Sequence, residues 1–389
     1  MLLRHAALLA LCGFAASQGS RSSLGCGKPP VSSSPGQSAA LTLPYPDPIM
    51  GTVDRKFRIH LPTGYDSNRS APWPLVLDFH GYYDDAAGEE SALRFSDLAD
   101  AEGFVIVYPD GSDDSRNRLN GWNAMGSAAN TGPLGATCDP DRSFYGFYEC
   151  YDSCRATIGC SGSSNLACVS SSCMDDRGFV VALVDMLEDQ LCVDLDRVHL
   201  SGCSAGGMMG FQMANSLAGR VASLVPIVAQ SLLGFNVAPL APVALMDISG
   251  SRDNIIPANV SNGYPRCTPG PYGTACSSDG FFYTAVPDVV DEWAKTNGCD
   301  GELTSYPAAK YQGDKGFSCV QPKGTCSSGA PVVSCSGDWG HTWPFHSPAS
   351  QRNRFPELAW AFMSANPLTP AARLYRERQL AARAKNTTQ

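Results

Sequence analysis

Arg197-Val198-His199-Leu200-Ser201-Gly202-Cys203-Ser204-Ala205-Gly206-Gly207-Met208-Met209 is the stretch on which the reading of the fold turns. Arg197 to Ser201 reads as a strand, and Gly206 to Leu217 has helical spacing. Between them stands Gly202-Cys203-Ser204-Ala205-Gly206. A G-x-S-x-G pattern is weak evidence by itself in a chain with 38 glycines. Its position between a strand and a helix makes it informative, because a serine there sits at a strained turn with its hydroxyl projecting. Larger neighbours would collide with the strand and the helix, and Gly202, Gly206 and Gly207 remove those side chains.

Working outward, the same alternation continues on both sides. Val53 to Leu61, Pro74 to Phe79 and Phe104 to Tyr108 read as strands before the serine, and Leu224 to Val228, Pro242 to Ile248 and Pro331 to Cys335 as strands after it. Helical spacing covers Ala87 to Glu102, Phe179 to Leu191, Pro287 to Lys295 and Pro356 to Ser364. Short, almost wholly apolar strands alternating with helices mean an α/β protein whose mostly parallel sheet is covered on both faces. Length alone suggests two or three domains, but there is no internal repeat, and Pro29 to Pro48 is the one Pro/Ser-rich stretch. One catalytic domain over 18–367 is expected. Residues 124–173 break its rhythm: they are Gly/Ser-rich, lack a sustained period and hold Cys138, Cys150, Cys154, Cys160, Cys168 and Cys173. A long irregular segment of this kind is functional or cross-linked, and a local knot of three bridges is expected.

A serine hydroxyl is a poor nucleophile near neutral pH and needs a base that a third group orients. Behind this kind of turn the acid comes next in the chain and the histidine last. Of six histidines, only His341 and His346 follow Ser204. His341 lies in a glycine-flanked loop after the last strand and is the expected base; His346 reads as a surface residue. The acid should follow the strand ending at Ile248, which selects Asp253; Asp247 lies within the strand. Two N–H donors must face the developing oxyanion, one from the residue after the nucleophile, Ala205, and one from the turn after Phe79. There Tyr82 is the expected donor and His80 a supporting side chain. No metal or organic cofactor is required, and the cysteine spacings fit no zinc site.

The N-terminus carries Arg4 and His5, an apolar run Ala6–Ala16 and Ala15-Ala16-Ser17, the pattern of a cleaved secretory leader over 1–17. The run is too short to span a bilayer. Sixteen cysteines agree with an extracellular, disulfide-forming chain. Removing Cys12 leaves an odd number, so at least one thiol is free or pairs between chains. Asn68, Asn259 and Asn386 head N-x-S/T triplets and are candidate glycosylation sites. A net charge of −9 argues against nucleic acid or an anionic membrane as partner. The tail 368–389 runs the other way, with Arg373, Arg376, Arg378, Arg383 and Lys385 against Glu377, and reads as a frayed, solvated helix. A monomer is expected.

Specific stretches then add a resemblance. Gly25-Cys26-Gly27-Lys28-Pro29, the run Pro74 to Gly81, Gly121-Trp122-Asn123, Asp175 to Phe179, Val193 to Val198, Gly202 to Met209 and Gly340-His341-Thr342-Trp343-Pro344 resemble the feruloyl esterase and polyhydroxybutyrate depolymerase group of carbohydrate esterase family 1. The match runs from about Gly25 to Pro367. It implies an α/β-hydrolase fold, carries the family's serine, acid and histidine onto Ser204, Asp253 and His341, and implies a secreted carboxylic ester hydrolase. Feruloyl esterase acting on cell-wall polysaccharide is the favoured reading, with polyhydroxybutyrate depolymerase or acetylxylan esterase as alternatives; a catalytically dead binding protein on the same scaffold is the alternative of another class. Trp122, Tyr82 and Trp343 would form an aromatic wall for a hydroxycinnamoyl group. Two departures stand out: Ser249 replaces a histidine common in the group, and 124–173 replaces a much shorter loop. In tannase-type relatives a cysteine before the nucleophile is bridged to one after the histidine, but Thr342 follows His341 here. Cys203 is therefore either a free, buried thiol or a partner of Cys335.

Overall fold

The computed structural model describes residues 21–29, 34–65, 70–124, 131–139, 150–158, 160, 171–235, 238–259, 275–278, 280–307, 316–344 and 354–386. The expected leader 1–17, Asn68, Cys168 and His346 lie outside them.

Ten strands build one sheet: β1 (Gln37–Asp47), β2 (Gly51–Leu61), β3 (Trp73–Phe79), β4 (Val105–Pro109), β5 (Val193–Cys203), β6 (Ser223–Ile227), β7 (Ala244–Gly250), β8 (Leu303–Ser305), β9 (Ser318–Pro322) and β10 (Val332–Gly337). Their spatial order is β1-β2-β4-β3-β5-β6-β7-β10-β9-β8. β4, β3, β5, β6, β7 and β10 run parallel, and antiparallel strands extend the sheet on both sides. This is the α/β-hydrolase fold. Among the described residues eight helices accompany the strands: α1 (Ala86–Leu93), α2 (Phe95–Glu102), α3 (Asp152–Ile158), α4 (Asp176–Gln190), α5 (Ala205–Ser216), α6 (Val286–Asn297), α7 (Phe355–Ala365) and α8 (Pro370–Asn386).

The alternation of strand side chains divides the core in two. Leu75, Leu77 and Phe79 of β3 face one way and pack with Phe179 and Leu183 of α4, Phe211 of α5 and Trp293 of α6. Val76 faces the other way, toward Phe95 of α2, Phe104 and Trp360 of α7, where the rings of Phe104 and Trp360 stack at 4.1 Å. Burial on both faces explains why the central strands read as unbroken apolar runs.

Three elements differ from the sequence reading. The helix expected over Ala87–Glu102 is two helices, broken at Arg94, which takes the left-handed conformation (φ 55°). Leu93 and Phe95 are both buried in the same cluster; in one continuous helix, side chains two apart point to nearly opposite sides, so the break lets both enter the core. β1 falls in the Pro/Ser-rich stretch. It lies at a sheet edge, paired with β2 alone, where Pro44 and Pro46 cost no essential ladder bond. The basic tail is seated rather than frayed at its start: Leu368 and Ala372 are buried, Arg373 pairs with Asp196 at 3.0 Å and Arg376 with Glu188 at 3.4 Å.

Among the described residues disulfides join Cys26–Cys192, Cys150–Cys160, Cys154–Cys173, Cys299–Cys326 and Cys319–Cys335. Two of them staple the 124–173 segment locally, and Cys138 is disulfide-bonded as well. Cys335 being taken by Cys319, Cys203 is a free, buried thiol. Among the described residues no helix is long and apolar enough to cross a membrane.

Candidate active site

β5 ends at Cys203, α5 begins at Ala205, and Ser204 alone makes the turn between them, with φ 55° and ψ −123°. A non-glycine residue at such angles is strained, and the strain lifts the hydroxyl clear of both elements. The packing that imposes it is close. A Cβ on Gly206 would collide with the carbonyl oxygens of Phe79 and His80, and one on Gly202 would stand 2.6 Å from the Gly206 carbonyl carbon. Helix α5 therefore rests directly on the end of β3.

The two other expected side chains come from loops after β7 and β10, neighbouring parallel strands. His341 Nε2 lies 2.9 Å from Ser204 Oγ, and His341 Nδ1 lies 2.8 Å from Asp253 Oδ2. Asp253 is fully buried. Its Oδ1 accepts the N–H groups of Ile255 and Ile256 at 2.8 and 2.9 Å, so one oxygen is anchored to backbone while the other faces the imidazole. The acid loop lies on the histidine loop: Arg252 N–H donates to the Trp339 carbonyl at 3.0 Å, and the Arg252 side chain pairs with Asp338 at 2.6 Å. Asp247 stays out of this line. It is buried in β7 and accepts from Gln230 Nε2 at 2.9 Å, and burial pushes its carboxyl up to about 7.

The turn after β3, where the second oxyanion donor was expected, lies beside the elbow. Gly81 faces Cys203 and Ser204, for a Cβ there would sit 3.7 Å from Ser204 Cβ. Ala205 is the first residue of α5, so its N–H has no partner within the helix. His80 is fully buried behind the turn. Its Nδ1 bonds the Gly81 carbonyl at 2.7 Å and its Nε2 accepts the Gly111 N–H at 2.9 Å. Those roles require the neutral ring protonated at Nδ1, and burial lowers its pKa accordingly. His80 is a strut.

The two tryptophans have different fates. Trp122 is only 1% exposed; its ring packs at a tilt against His80, 4.9 Å between centroids, and its Nε1 donates to the His80 carbonyl at 2.9 Å. Enclosed in this way it offers no face to a ligand, so it packs beneath the turn after β3 instead of forming the expected aromatic wall. Trp343 is half-buried and packs on Phe355 at 5.6 Å. The exposed aromatic at the turn is Tyr83, 59% exposed at a left-handed φ of 82°. The sequence reading passed over it, although its place next to Tyr82 after an apolar strand is a visible signal. Another residue passed over is Asp176, fully buried in an ion pair with Arg55 at 2.5 Å. It also accepts from Ser112 Oγ at 3.0 Å and the Asn123 N–H at 2.6 Å, tying the foot of the cysteine-rich segment to the sheet.

Of the sequon asparagines, Asn259 is half-buried and Asn386 is the last residue of α8. A second Ser-His-Asp chain exists, Ser38–His60–Asp100, with distances of 3.0 and 3.1 Å. Ser38 lies on an edge strand and donates to Glu90, so its proton is already committed to a carboxylate, and no strained turn presents it. Among the described residues no group of three or more His, Cys, Asp or Glu is arranged to hold a metal ion.

No family model matches the chain. Among curated proteins it is 23% identical over 290 residues to a feruloyl esterase B of Piromyces equi, covering 74% of this chain and 42% of that protein. It is 23% identical over 190 residues to a bifunctional acetylxylan esterase/xylanase of Neocallimastix patriciarum, covering 49% of this chain and 21% of that one. The chain thus spans less than half the length of these two relatives. Among solved structures an acetyl xylan esterase from Aspergillus awamori aligns with a TM-score of 0.46 at 13% identity, over 84% of this chain and 99% of that one.

Proposed function

We propose that the chain is a secreted serine carboxylic ester hydrolase acting on aromatic acyl esters of cell-wall polysaccharide. The observation that carries the reading is the unbroken line Ser204 Oγ–His341–Asp253, at 2.9 and 2.8 Å, on a strained strand-to-helix turn. Asp253 holds the Nδ1 proton, which leaves the Nε2 lone pair toward the serine. Ser204 Oγ attacks the ester carbonyl as its proton passes to His341 Nε2. The tetrahedral oxyanion is stabilised by the N–H groups of Ala205 and Tyr82. Collapse expels the alcohol, which takes the Nε2 proton. A water that gives a proton to Nε2 then attacks the acyl-enzyme, and collapse releases the carboxylic acid as that proton passes from Nε2 to Ser204 Oγ.

The feruloyl assignment is supported by the motif resemblance and by the name of one relative. Its structural support is now narrower, because Trp122 is enclosed and the aromatic surface left is Tyr82, Tyr83 and Trp343. That narrowing, together with the acetylxylan esterase relative, favours a small acetyl ester as the second reading. Secretion is supported by the disulfides, which persist in oxidising compartments, and glycans at Asn68, Asn259 and Asn386 belong to the same reading. Hydrolysis of methyl ferulate and nitrophenyl acetate by the wild type and Ser204→Ala tests both levels. Loss of both activities in the variant is expected, with kcat/KM for the ferulate at least equal to that for the acetate. Activity on acetate alone would leave a serine esterase of acetyl type, and a fully active Ser204→Ala would overturn the nucleophile.

A further inference from the structure

The turn that joins β3 to α1, Gly81-Tyr82-Tyr83-Asp84, is closed by the Asp84 N–H, which donates to the Gly81 carbonyl at 3.3 Å. Tyr83 is its third residue and has a φ of 82°. A positive φ at that place in a turn is the glycine position, because a Cβ is crowded there by the backbone. A bulky side chain held at such a φ is a genuine outlier. Among the described residues the other non-glycine positions with positive φ include Ser204, which presents the nucleophile, and Arg94, which breaks a helix. Strain of this kind persists where the arrangement is used.

The turn itself does not ask for a tyrosine. The Tyr83 N–H donates to the Asn120 carbonyl at 3.0 Å, and Asn120 Nδ2 donates to the Asp84 carbonyl at 2.9 Å. Asp85 then caps α1, its Oδ1 accepting the N–H groups of Ala87 and Gly88 at 3.0 and 2.8 Å. A glycine at position 83 would keep all of these bonds without the strain. Nor does the core take up the ring, since Tyr83 is 59% exposed. It meets the Tyr82 ring edge-on with 6.2 Å between centroids, and the Tyr82 ring in turn packs on the bridged cluster of Cys150, Cys154, Cys160 and Cys173. Tyr83 is thus backed by a fixed neighbour and more than half open to solvent.

Its place is next to the nucleophile. A Cβ on Gly81 would sit 3.7 Å from Ser204 Cβ, and the Tyr83 Cα can lie no more than about 7.6 Å from that of Gly81. An ester whose carbonyl sits at Ser204 therefore brings its nearest substituents within range of this ring. An apolar acyl group gains by leaving water altogether, which one open ring cannot provide. A sugar ring keeps its hydroxyl edge hydrated and offers one C–H face, which matches a single exposed aromatic face with its negative partial charge. We propose that Tyr83 is a sugar-binding residue on the alcohol side of the site, its ring stacking on the sugar that carries the ester. The proposal rests on the reading of the chain as a polysaccharide esterase with Ser204 as nucleophile. A tyrosine has only two χ angles to fix, and a side chain already backed by a neighbour loses little freedom on binding.

The test compares esters that share an acyl group and differ in the alcohol: a feruloylated arabinoxylo-oligosaccharide against methyl ferulate, and an acetylated xylo-oligosaccharide against methyl acetate. The readout is the ratio of kcat/KM on the sugar ester to kcat/KM on the methyl ester, for whichever acyl group the wild type removes from sugar. In Tyr83→Gly that ratio should fall about three- to tenfold, the worth of one lost aromatic contact. The fall should come from a raised KM for the sugar ester, because a contact made equally in ground and transition states leaves kcat alone. Tyr83→Phe keeps the face and should hold the ratio within about twofold. An unchanged ratio in folded Tyr83→Gly overturns the proposal, as does an equal loss on both members of a pair, which would put the ring against the acyl group. A ratio as low in Tyr83→Phe as in Tyr83→Gly would make the phenol the contact and overturn the stacking. If Tyr83→Gly does not fold, Tyr83→Asn, which also accepts a positive φ, decides by the same criterion. The two readings fail separately. A wild type that cleaves methyl esters but no sugar ester sinks the polysaccharide reading and the proposal with it, whereas a wild type that cleaves sugar esters beside an unimpaired Tyr83→Gly sinks the stacking alone.

Discussion

Asp253→Asn changes one atom and should nearly abolish turnover. In the wild type, Asp253 Oδ1 accepts two backbone N–H groups, from Ile255 and Ile256, and Oδ2 faces His341 Nδ1 at 2.8 Å. An asparagine has one acceptor oxygen. Turning its amide nitrogen toward Ile255 and Ile256 would set donors against two donors in a fully buried place, so the oxygen must stay on the backbone side. The NH₂ group then faces Nδ1, which has to accept. The imidazole proton moves to Nε2, the atom that should receive the Ser204 proton, and the base is lost although the geometry survives. Loss of the right tautomer in a serine triad costs about 10⁴ in kcat, which corresponds to ~5.5 kcal/mol of transition-state stabilisation. The assay is nitrophenyl ester hydrolysis at pH 7.5 on protein whose melting temperature matches the wild type. Asp247→Asn is the control: its carboxylate bonds Gln230 rather than His341, so activity should stay within about threefold, an energy change under ~1 kcal/mol. A folded Asp253→Asn within about tenfold of wild type, or a dead Asp247→Asn, would refute this reasoning.

Ser204→Ala and His341→Ala should each lose on the order of 10⁴ or more, and the double variant should be no worse, because a triad acts as a unit; multiplicative losses in single-turnover assays would contradict it. Gly206→Ala should fail to form the elbow, since its Cβ meets two backbone oxygens that cannot retreat without moving the oxyanion turn; wild-type activity and melting would contradict that packing. Asp247→Asn should also change the pH dependence of stability. Burial raises this carboxyl from 3.8 to about 7, so between those values the folded protein keeps a proton that the unfolded chain has released, and stability falls as pH rises. The variant should melt at about the wild-type temperature near pH 4 and increasingly above it toward pH 8, by an amount on the order of a few kcal/mol at most; parallel curves would rule this out. Peptide mapping of unreduced protein should recover Cys26–Cys192, Cys150–Cys160, Cys154–Cys173, Cys299–Cys326 and Cys319–Cys335. Cys203, enclosed and held protonated by burial, should react with thiol reagents only after unfolding; fast labelling of native protein would contradict that.

Local chemistry in the sequence was enough for the sheet's parallel centre and for the line of three residues across it. Strands buried on both faces must be apolar runs, the glycines around Ser204 are required by backbone contact, and the loops after β7 and β10 are the carriers that a neighbouring parallel strand supplies to the elbow. The elements that escaped are those whose reason lies elsewhere in the chain. β1 is an edge strand whose prolines hide it, Arg94 breaks a helix so that Leu93 and Phe95 can both reach one core, and the start of α8 is seated by Asp196 and Glu188. Trp122 looked like a ligand-facing aromatic because residue type carries no sign of enclosure; only packing against His80 turns it inward. The pairing of the cysteines, and the packing of Tyr82 on the cluster around Cys150 and Cys173, depend on which distant segments meet. Periodicity and local sterics act between residues a few positions apart and are written in the sequence. Enclosure, cross-links and the partners of buried polar atoms are set by long-range contacts, which only the assembled chain defines.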